Sequence, residues 1–498
     1  MKNPLSTVFT FVVLIGATAG IYAQPNFVYT NDDVIGGNTV SGFSIDSIGN
    51  LTPLANSPFA TGGGGAGGGG FAVNRIVIGG GKYLYASNSG TADVSAFAID
   101  PATGALNPVA GSPFPVGGPT FADISLAASP DGQFLFAGVT SNNTVVTLKV
   151  MADGSLSQAA SLAIPAAPSG MKVTPDGKFL AAALPGYLGF GAIAMFAIAS
   201  DGSLTMVNGV PFIGTGTVAG IDVNCAGTQL FGGVMTRTGA AVDAYSIGAG
   251  GILTRMRGSP YSPGVGTNSN VVLLSPNDQL LFVGNQFSNS VTSITVSASG
   301  TLGLVAGSPF AIGGQSTFPS GMATDAAGSF LYVASQPNFV QVFQIAVDGT
   351  LTPVAGSPFS TAQPAGLLSL TAFPGKTCNG AGAGSPPPPP VITGLPSEGC
   401  TLWPPQKQLV QVATITAGAE AGLASFDVAG TSNEPSDPNN PDIVITGTGL
   451  GPRTVQLRAD RLGTGTGRVY TLTATATDTA GTTVFSTATC TVPHDQGN

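Results

Sequence analysis

Residues 126–136, Leu-Ala-Ala-Ser-Pro-Asp-Gly-Gln-Phe-Leu-Phe, are the clearest sign of regular structure in this chain. Pro presets φ at the second turn position and Gly accepts a positive φ, so the segment predicts two strands joined by a tight turn. A close copy, Val-Thr-Pro-Asp-Gly-Lys-Phe-Leu, covers residues 173–180, and weaker copies cover residues 224–227, 275–278 and 325–328. Repetition of this hairpin predicts an all-β fold built from similar units.

A second repeated tripeptide, Ser-Pro-Phe with small variations, sets the length of the unit. Its copies begin at Ser57, Ser112, Val210, Ser259, Ser308 and Ser357. The last three spacings are 49 residues each (210 to 259, 259 to 308 and 308 to 357), and the gap from 112 to 210 leaves room for one degenerate copy near Leu162. Turns of the form Asp-Gly-(Ser/Thr)-Leu lead into an outer strand at residues 153–156, 201–204 and 348–351. Seven units of four strands predict a seven-bladed β-propeller.

The first unit is split between the two ends of the array. Residues 27–30 align with the second strand of later units, so the innermost strand is missing at the N-terminal end. Residues 366–375 match the strand and turn at 124–132, and we expect them to complete the first blade. Such closure leaves no exposed inner edge. An open β-solenoid or a row of separate sandwiches, the alternatives, would not explain the split unit.

The chain divides into four segments. Residues 1–23 predict a signal peptide with an apolar stretch at 9–15 and cleavage after Ala23, Ala19 being the second choice and a membrane anchor the alternative. Residues 24–376 are the predicted propeller. Residues 377–390 form a Gly- and Pro-rich linker, which ends in five prolines. We therefore expect a secreted or periplasmic protein without a membrane span in the mature chain.

Residues 391–498 alternate apolar and polar positions, which predicts half-buried antiparallel strands. Their length and the flanking cysteines suggest an immunoglobulin-like β-sandwich. We expect a disulfide between Cys400 and Cys490, joining the first and last strands, with Trp403 packed nearby; the pairing of Cys225 and Cys378 stays open. The segment resembles an immunoglobulin-like module at the ends of secreted bacterial proteins, through residues 400–405, 432–435, 457–461, 467–470 and 492–495.

Composition excludes several classes of function. The net charge is −9 and there is no basic run, which argues against a nucleic-acid partner. The single His, His494, lies near the C-terminus, so a Ser-His-Asp arrangement in the propeller and a two-His zinc site are excluded. The run at 62–70 lacks the ending of a phosphate-binding loop and predicts a flexible connection between blades. Residues 437–442 suggest an acidic loop, with Ca²⁺ binding as the alternative; no metal or cofactor is expected.

The turns and the unit count resemble the lactonase-like family of seven-bladed β-propellers, which includes bacterial 6-phosphogluconolactonases of the propeller type and fungal muconate cycloisomerases. The resemblance covers residues 27–376 and implies action on a lactone in the central channel. In that family a His often lies on the innermost strand, four residues before the Ser of Ser-Pro-Asp-Gly. The matching positions carry no His and are Asn74, Ser125, Gly170, Gly220, Val271 and Gly321.

Polar residues on the innermost strands form the candidate ligand site. Alternate side chains face the same way, and the set predicted to face the channel is Asn74, Asp123, Ser125, Lys172 and Asp222. Asp123, Lys172 and Asp222 are weak catalytic candidates, because a carboxylate or a Lys would have to replace the absent His. Arg75 has the other parity and is predicted to lie between blades. The alternative is a water-filled channel with paired charges.

Two functions from different classes follow. The first is an exported, non-catalytic scaffold that binds a small molecule, a carbohydrate or a protein, which the lack of a convergent catalytic set favours. The second is a lactone hydrolase or cycloisomerase that acts in the channel. A purely structural cell-surface repeat is a third hypothesis. We expect a monomer.

Overall fold

The structure, a computed structural model, describes residues 26–495 except 69–72, 236–240, 265, 267, 315–317, 337, 362–368, 377–389, 398, 420–422, 438–439, 464–465 and 479–482. The chain forms two compact units, Met1–Ala381 and Gly382–Asn498. The predicted signal peptide, Cys378 and all but the last residue of the predicted linker lie outside the described residues. Among the described residues, the helices are short 3-10 turns, and none has the length and apolarity of a membrane span.

The described residues of the first unit form seven antiparallel sheets of four or five strands. Sheet 1 contains β1 (Asn26–Asn31), β2 (Thr39–Ile45), β3 (Leu51–Pro53), β4 (Phe59–Ala60) and β33 (Ser369–Phe373). Sheet 2 contains β5 (Ile76–Gly79), β6 (Tyr83–Asn88), β7 (Asp93–Ile99), β8 (Leu106–Pro108) and β9 (Phe114–Pro115). Sheet 3 contains β10 (Ile124–Ala128), β11 (Phe134–Val139), β12 (Thr144–Val150) and β13 (Leu156–Ala163). Sheet 4 contains β14 (Met171–Val173), β15 (Phe179–Leu184), β16 (Ala192–Ile198), β17 (Leu204–Met206) and β18 (Phe212–Ile213).

The remaining sheets of this unit follow the same order. Sheet 5 contains β19 (Thr217–Val223), β20 (Gln229–Met235), β21 (Ala241–Ile247) and β22 (Leu253–Arg255). Sheet 6 contains β23 (Ser269–Leu274), β24 (Leu280–Asn285), β25 (Ser290–Val296), β26 (Leu302–Leu304) and β27 (Phe310–Ala311). Sheet 7 contains β28 (Pro319–Thr324), β29 (Phe330–Ser335), β30 (Phe339–Ile345), β31 (Leu351–Pro353) and β32 (Phe359–Ser360). The 3-10 turns are Thr140–Asn142, Tyr187–Gly189 and Val207–Gly209.

The first strands of the sheets surround a common axis. Neighbours contact each other in the cyclic order β33, β5, β10, β14, β19, β23, β28 and back to β33. Two neighbouring inner strands also contact each other through their backbones. The N–H of Gly170, just before β14, donates to the carbonyl of Ala219 in β19 at 2.8 Å. A Cβ on Gly170 would lie 2.7 Å from that oxygen, so glycine is required there. The hydrophobic clusters lie between successive sheets.

The ring closes as the split first unit predicts. β33 pairs antiparallel with β1, and Ala372 lies opposite Val28. Residues from both ends of the first unit thus share one sheet with β2 and β3. Phe27 and Phe373 stack with their ring centroids 6.4 Å apart, which adds a buried aromatic contact to the backbone pairing.

Side-chain hydrogen bonds explain the Ser-Pro-Asp-Gly turn. The Ser129 hydroxyl donates to Asp131 Oδ1 at 2.6 Å and accepts the N–H of Phe134 at 2.9 Å. Gly132, with φ 68°, donates its N–H to the Ser129 carbonyl at 2.9 Å. The motif therefore connects the first two strands of a sheet through a self-contained turn.

The Ser of Ser-Pro-Phe has a matching structural role. In sheet 1, β3 pairs with residues 43–45 of β2 and β4 pairs with residues 39–40, which leaves the N–H of Gly42 between them. The Ser57 hydroxyl accepts this N–H at 2.9 Å. The equivalent serines, Ser112, Ser259, Ser308 and Ser357, accept the N–H groups of Ala96, Ala244, Ser293 and Val342. The serine in these copies thus accepts a backbone N–H that neither of the outer strands bonds.

The described residues of the second unit form two four-stranded sheets around one core. One sheet contains β34 (Val391–Thr393), β36 (Leu409–Gly418), β38 (Ile443–Thr446) and β39 (Arg453–Arg458). The other contains β35 (Cys400–Thr401), β37 (Leu423–Ser432), β40 (Gly467–Asp478) and β41 (Thr483–Pro493). Their inner faces share Ile415 and Val455 from the first sheet with Leu472 from the second.

The predicted disulfide is confirmed, and its two cysteines lie 4.6 Å apart between Cα atoms. Cys400 belongs to β35, the second strand of the unit, so the bond joins the second and last strands rather than the first and last. The packing prediction for Trp403 differs from the structure. Trp403 is exposed, and the preceding Leu402 occupies the core beside Cys490.

Candidate functional site

The inner strands, from Asn74 before β5 to the turns at their C-terminal ends, line a cavity of about 530 Å³ in the first unit. Its charged and amide side chains are Asn74, Lys172, Asp222 and Lys376. Consecutive residues of one strand, such as Met171, Lys172 and Val173, all reach the cavity. The prediction that alternate side chains of each inner strand face the channel is therefore wrong. Each inner strand presents its edge, and not one face, to the axis, so consecutive residues line the cavity.

Lys172 and Asp222 occupy equivalent positions on adjacent inner strands. Lys172 lies opposite Ala181 in sheet 4, and Asp222 lies opposite Phe231 in sheet 5. Lys172 Nζ is 3.0 Å from Asp222 Oδ1, and the two side chains are 41 % and 2 % exposed. The lysine thus faces the cavity while its carboxylate partner is enclosed.

The Asp222 carboxylate has a donor at each oxygen. Oδ1 also accepts the N–H of Val223, and Oδ2 accepts the N–H of Leu274 in the next sheet, both at 2.9 Å. Burial by itself would raise the pKa of this carboxyl, but the positive charges of Lys172 and Lys376 and the Leu274 N–H lower it below its ordinary value. Asp222 is therefore a stable anion that holds the Lys172 side chain in place.

Lys376 is a site residue that the sequence analysis did not predict. It follows β33 by three positions, and its Nζ reaches Asp278 Oδ1 at 2.9 Å in the first turn of sheet 6. Asp278 Oδ2 also accepts the N–H of Cys225 in sheet 5 at 2.6 Å. The segment after the closing strand thus connects sheet 1 with sheets 5 and 6 at the cavity. The turn at 275–278 can be recognised in the sequence, but nothing in the sequence indicates that its Asp278 pairs with Lys376.

Asn74 lines the same cavity from sheet 2. Its Nδ2 donates to the Met171 carbonyl of sheet 4 at 2.9 Å, so the amide bridges two inner strands that are not neighbours. Three of the five predicted ligand residues, Asn74, Lys172 and Asp222, are therefore brought together at the cavity.

Asp123 lies elsewhere, in a buried cluster with Arg75 and Asp33. Arg75 Nη2 is 2.6 Å from Asp123 Oδ1, and Arg75 Nη1 is 2.7 Å from Asp33 Oδ2. The Arg75 side chain is 1 % exposed. The planar guanidinium joins residues of three sheets, and none of the three side chains lines the cavity.

Ser125 is also buried away from the cavity. It lies opposite Gly138, whereas in sheet 2 the residue at that register is Arg75, whose carbonyl accepts the N–H of Ser87. The sequence alignment of Asn74 with Ser125 is thus wrong by one position. The turn of sheet 2 is one residue shorter, since Ile78 pairs with Leu84 whereas Ala128 pairs with Leu135.

Two other predicted segments have internal partners. The described part of the glycine run is fixed by Asp33, whose carboxylate accepts the N–H groups of Ala66 and Gly68 at 2.8 and 3.0 Å. In the second unit, Asp442 forms ion pairs with Arg458 and Arg468. His494 is exposed in this unit, and its Nε2 lies 3.1 Å from the carbonyl of Gly463.

One cation of the cavity, Lys172, is partly exposed to it. In the described parts of the chain, no three His, Cys, Asp or Glu side chains converge as they would around a metal ion. An ammonium group has three N–H donors, and Asp222 accepts one from Lys172. Lys172 can therefore also donate to a carboxylate or hydroxyl group in the cavity.

Neither a protein-family model nor a curated protein matches the sequence. Solved structures do match. A candidate 6-phosphogluconolactonase of Bacteroides fragilis has 19 % identity and a TM-score of 0.56, covering 70 % of this chain and 98 % of its own. The periplasmic gluconolactonase of Pseudomonas aeruginosa has 20 % identity and a TM-score of 0.53, covering 70 % and 99 %. A candidate 6-phosphogluconolactonase of Bacteroides uniformis has 17 % identity and a TM-score of 0.51, covering 70 % and 99 %. The chain therefore shares an all-β fold with proteins named as lactonases.

Proposed function

We propose that this protein is an exported seven-bladed β-propeller that binds a small anionic or hydroxyl-bearing molecule in the Lys172 cavity without converting it. The observation that carries the proposal is the bonding of Asp222, whose oxygens accept from Lys172, Val223 and Leu274. A carboxylate with a lowered pKa and a full set of donors is a poor general base. Lys172, which it holds, is suited to electrostatic anchoring.

The seven sheets and the closure of β33 on β1 support the propeller assignment for residues 24–376. The two sheets of the second unit support an immunoglobulin-like sandwich at residues 391–498, after a linker at 377–390. The buried Cys490 and its bond to Cys400 fit an extracellular or periplasmic protein. Residues 1–23 act in this proposal as the signal peptide, and the mature protein is a monomer.

Calorimetric titration with gluconate tests the binding function. We expect binding by the natural protein and a Kd raised about tenfold in Lys172→Met, because the ammonium anchor is lost. Lys178→Met is the matched control, since Lys178 pairs with Asp176 on the surface with its side chain 72 % exposed. Equal affinity of the natural protein and Lys172→Met, or absence of binding, would overturn the proposal.

A lactone-acting enzyme is the second candidate, favoured by the names of the structural neighbours. It would require Lys172 or Asp222 to act on the ring-opening step. Hydrolysis of glucono-lactone by the purified protein, measured against Asp222→Ala and Lys178→Met, separates the two functions. Turnover above the buffer rate that is lost only in Asp222→Ala would establish the enzyme and end the non-catalytic proposal.

A further inference from the structure

The two faces of the first unit differ in chemistry. The turn face contains the connections between the first and second and between the third and fourth strands of each sheet. The loop face contains the connections between the second and third strands and, in each crossover to the next sheet, the part that follows the Ser-Pro-Phe copy, because that copy pairs with the start of the third strand. All inner strands bring their C-terminal ends to one cavity, so each kind of connection lies on one side of the ring.

Exposed charges lie on the turn face. They are Asp46, Lys82, Asp131, Lys149, Asp153, Asp176, Lys178, Asp201 and Asp348, while Arg255 and Arg257 are on the outer rim. On the loop face, the ionisable side chains Asp32, Asp33, Arg75 and Asp123 are buried, and Asp93 is half-buried. Arg237 lies outside the described residues. The described part of the loop face therefore presents no exposed formal charge.

Exposed aromatic rings have the opposite distribution. Phe121, Phe190 and Phe287 are 67 %, 68 % and 61 % exposed, and all three lie in loop-face segments. The exposed apolar residues of the turn face are instead aliphatic and sit singly in hairpin turns; they are Ile48, Met151, Ile252 and Val347. Single exposed aliphatic residues are ordinary, but the exposed aromatic rings in the described part of the first unit all lie on this one face, which favours it as a contact surface.

The backbone holds two loop-face side chains outward in an unfavourable conformation. Phe121 has φ 63° and Leu188 has φ 49°, a region that bulky residues seldom adopt. The loop that carries Leu188 and Phe190 is fixed by hydrogen bonds from the N–H groups of Phe190 and Gly191 to the carbonyl of Tyr187, both 3.0 Å long. Ordered loops that keep apolar side chains exposed at a cost in backbone energy are typical of binding sites.

We propose that the loop face binds a neutral polysaccharide, with Phe121, Phe190 and Phe287 as stacking platforms. A sugar ring has an apolar C–H face that packs against an aromatic ring and a rim of hydroxyls that needs uncharged partners. Exposed Ser141 and Asn142 in the neighbouring connection of sheet 3 are donors and acceptors of that kind. An anionic membrane surface would instead be met by exposed Lys or Arg, which the described loop face lacks.

This surface is distinct from the cavity, which opens among the C-terminal ends of the inner strands. The two proposals therefore fail independently. Variants of the rings should leave gluconate binding unchanged, and Lys172→Met should leave polysaccharide binding unchanged.

Affinity electrophoresis of the whole protein in gels that contain dextran, laminarin or mannan tests the proposal. We expect retardation by at least one of these neutral polymers and a Kd raised about tenfold or more in the triple variant Phe121→Ala, Phe190→Ala, Phe287→Ala. The matched control is Ile48→Ala, Met151→Ala, Val347→Ala, which removes exposed apolar groups from the turn face. Because no charge is involved, retardation should persist from about 50 to about 500 mM salt.

Several outcomes would overturn the proposal. They are no retardation by any of the three polymers, equal retardation of the two triple variants, or loss of retardation in high salt. Sedimentation of the natural protein with phosphatidylcholine–phosphatidylglycerol vesicles, abolished in the ring variant, would assign the face to a membrane instead. Thermal melting checks that the ring variant is folded, and Phe190→Ala alone replaces it if the triple variant does not fold.

Discussion

The inner strands carry opposite charges at both ends, but the two ends are built differently. At the loop-face end, the Arg75 guanidinium lies between Asp33 and Asp123, and all three side chains are buried. At the cavity end, Asp222 is buried but its partner Lys172 is 41 % exposed. The buried Arg75 guanidinium bonds a carboxylate on each side and is not accessible to a ligand. Lys172, which is held by one buried carboxylate, keeps N–H donors for another molecule.

The largest expected effect comes from removing the arginine of the closed cluster. Arg75→Met should lower the free energy of unfolding by about 3–5 kcal/mol, because two buried carboxylates lose the guanidinium that joins them. Urea unfolding of the purified variant measures the change. Arg75→Lys should recover only part of it, since an ammonium group cannot bond both carboxylates in the same planar geometry. A decrease in unfolding free energy below about 1 kcal/mol would show that the Arg75 cluster stabilises the fold no more than a surface ion pair does.

A smaller effect is expected from the enclosed carboxylate of the cavity. Asp222→Asn should cost about 1–3 kcal/mol near pH 7, because the ion pair with Lys172 is lost while the side-chain volume is kept. The folded-state pKa of Asp222 is lowered, so its contribution is present above its unfolded pKa of about 4 and is lost as the pH falls through the folded value. The difference between the natural protein and the variant should therefore shrink in acid. A difference that stays constant down to about pH 3 would show that ionisation is not its cause.

The smallest effect is expected at Lys376. Lys376→Met should cost about 1 kcal/mol or less, because its pair with Asp278 retains some solvent contact. The variant should also move the acid-induced loss of Asp222 stabilisation to higher pH, since one of the charges that lowers this pKa is gone. Denaturant unfolding across the acid range checks both results. An unchanged acid limb would show that Lys376 does not act on Asp222.

The repeat could be predicted because its residues act locally. Ser129, Asp131 and Gly132 close their own turn, and Ser57 caps a strand within its own sheet, so the same chemistry recurs at each copy. Ring closure was predictable for a similar reason. The strand at 369–373 carries the pattern that the first unit lacks.

The site was only partly predictable, because its geometry depends on contacts between sheets. Lys376, in a segment that follows the last repeat, pairs with Asp278 of sheet 6. The alignment of Asn74 with Ser125 is wrong because the shorter turn of sheet 2 shifts the register by one residue, so that Arg75 corresponds to Ser125. Asp123 was assigned to the channel by strand alternation, but the nearby Arg75 holds it in a buried cluster. These outcomes follow from distances between strands, which one unit of the repeat does not contain.

Pairing of β1 with β33 has a consequence for how the chain matures. Val28 can pair with Ala372 only after almost the whole ring sequence has been synthesised. Until then, β1 and β33 each expose an unpaired strand edge that can template association with another chain. The last step of ring assembly is thus a very long-range contact, which slows folding and makes the incomplete ring the species most in need of protection from aggregation.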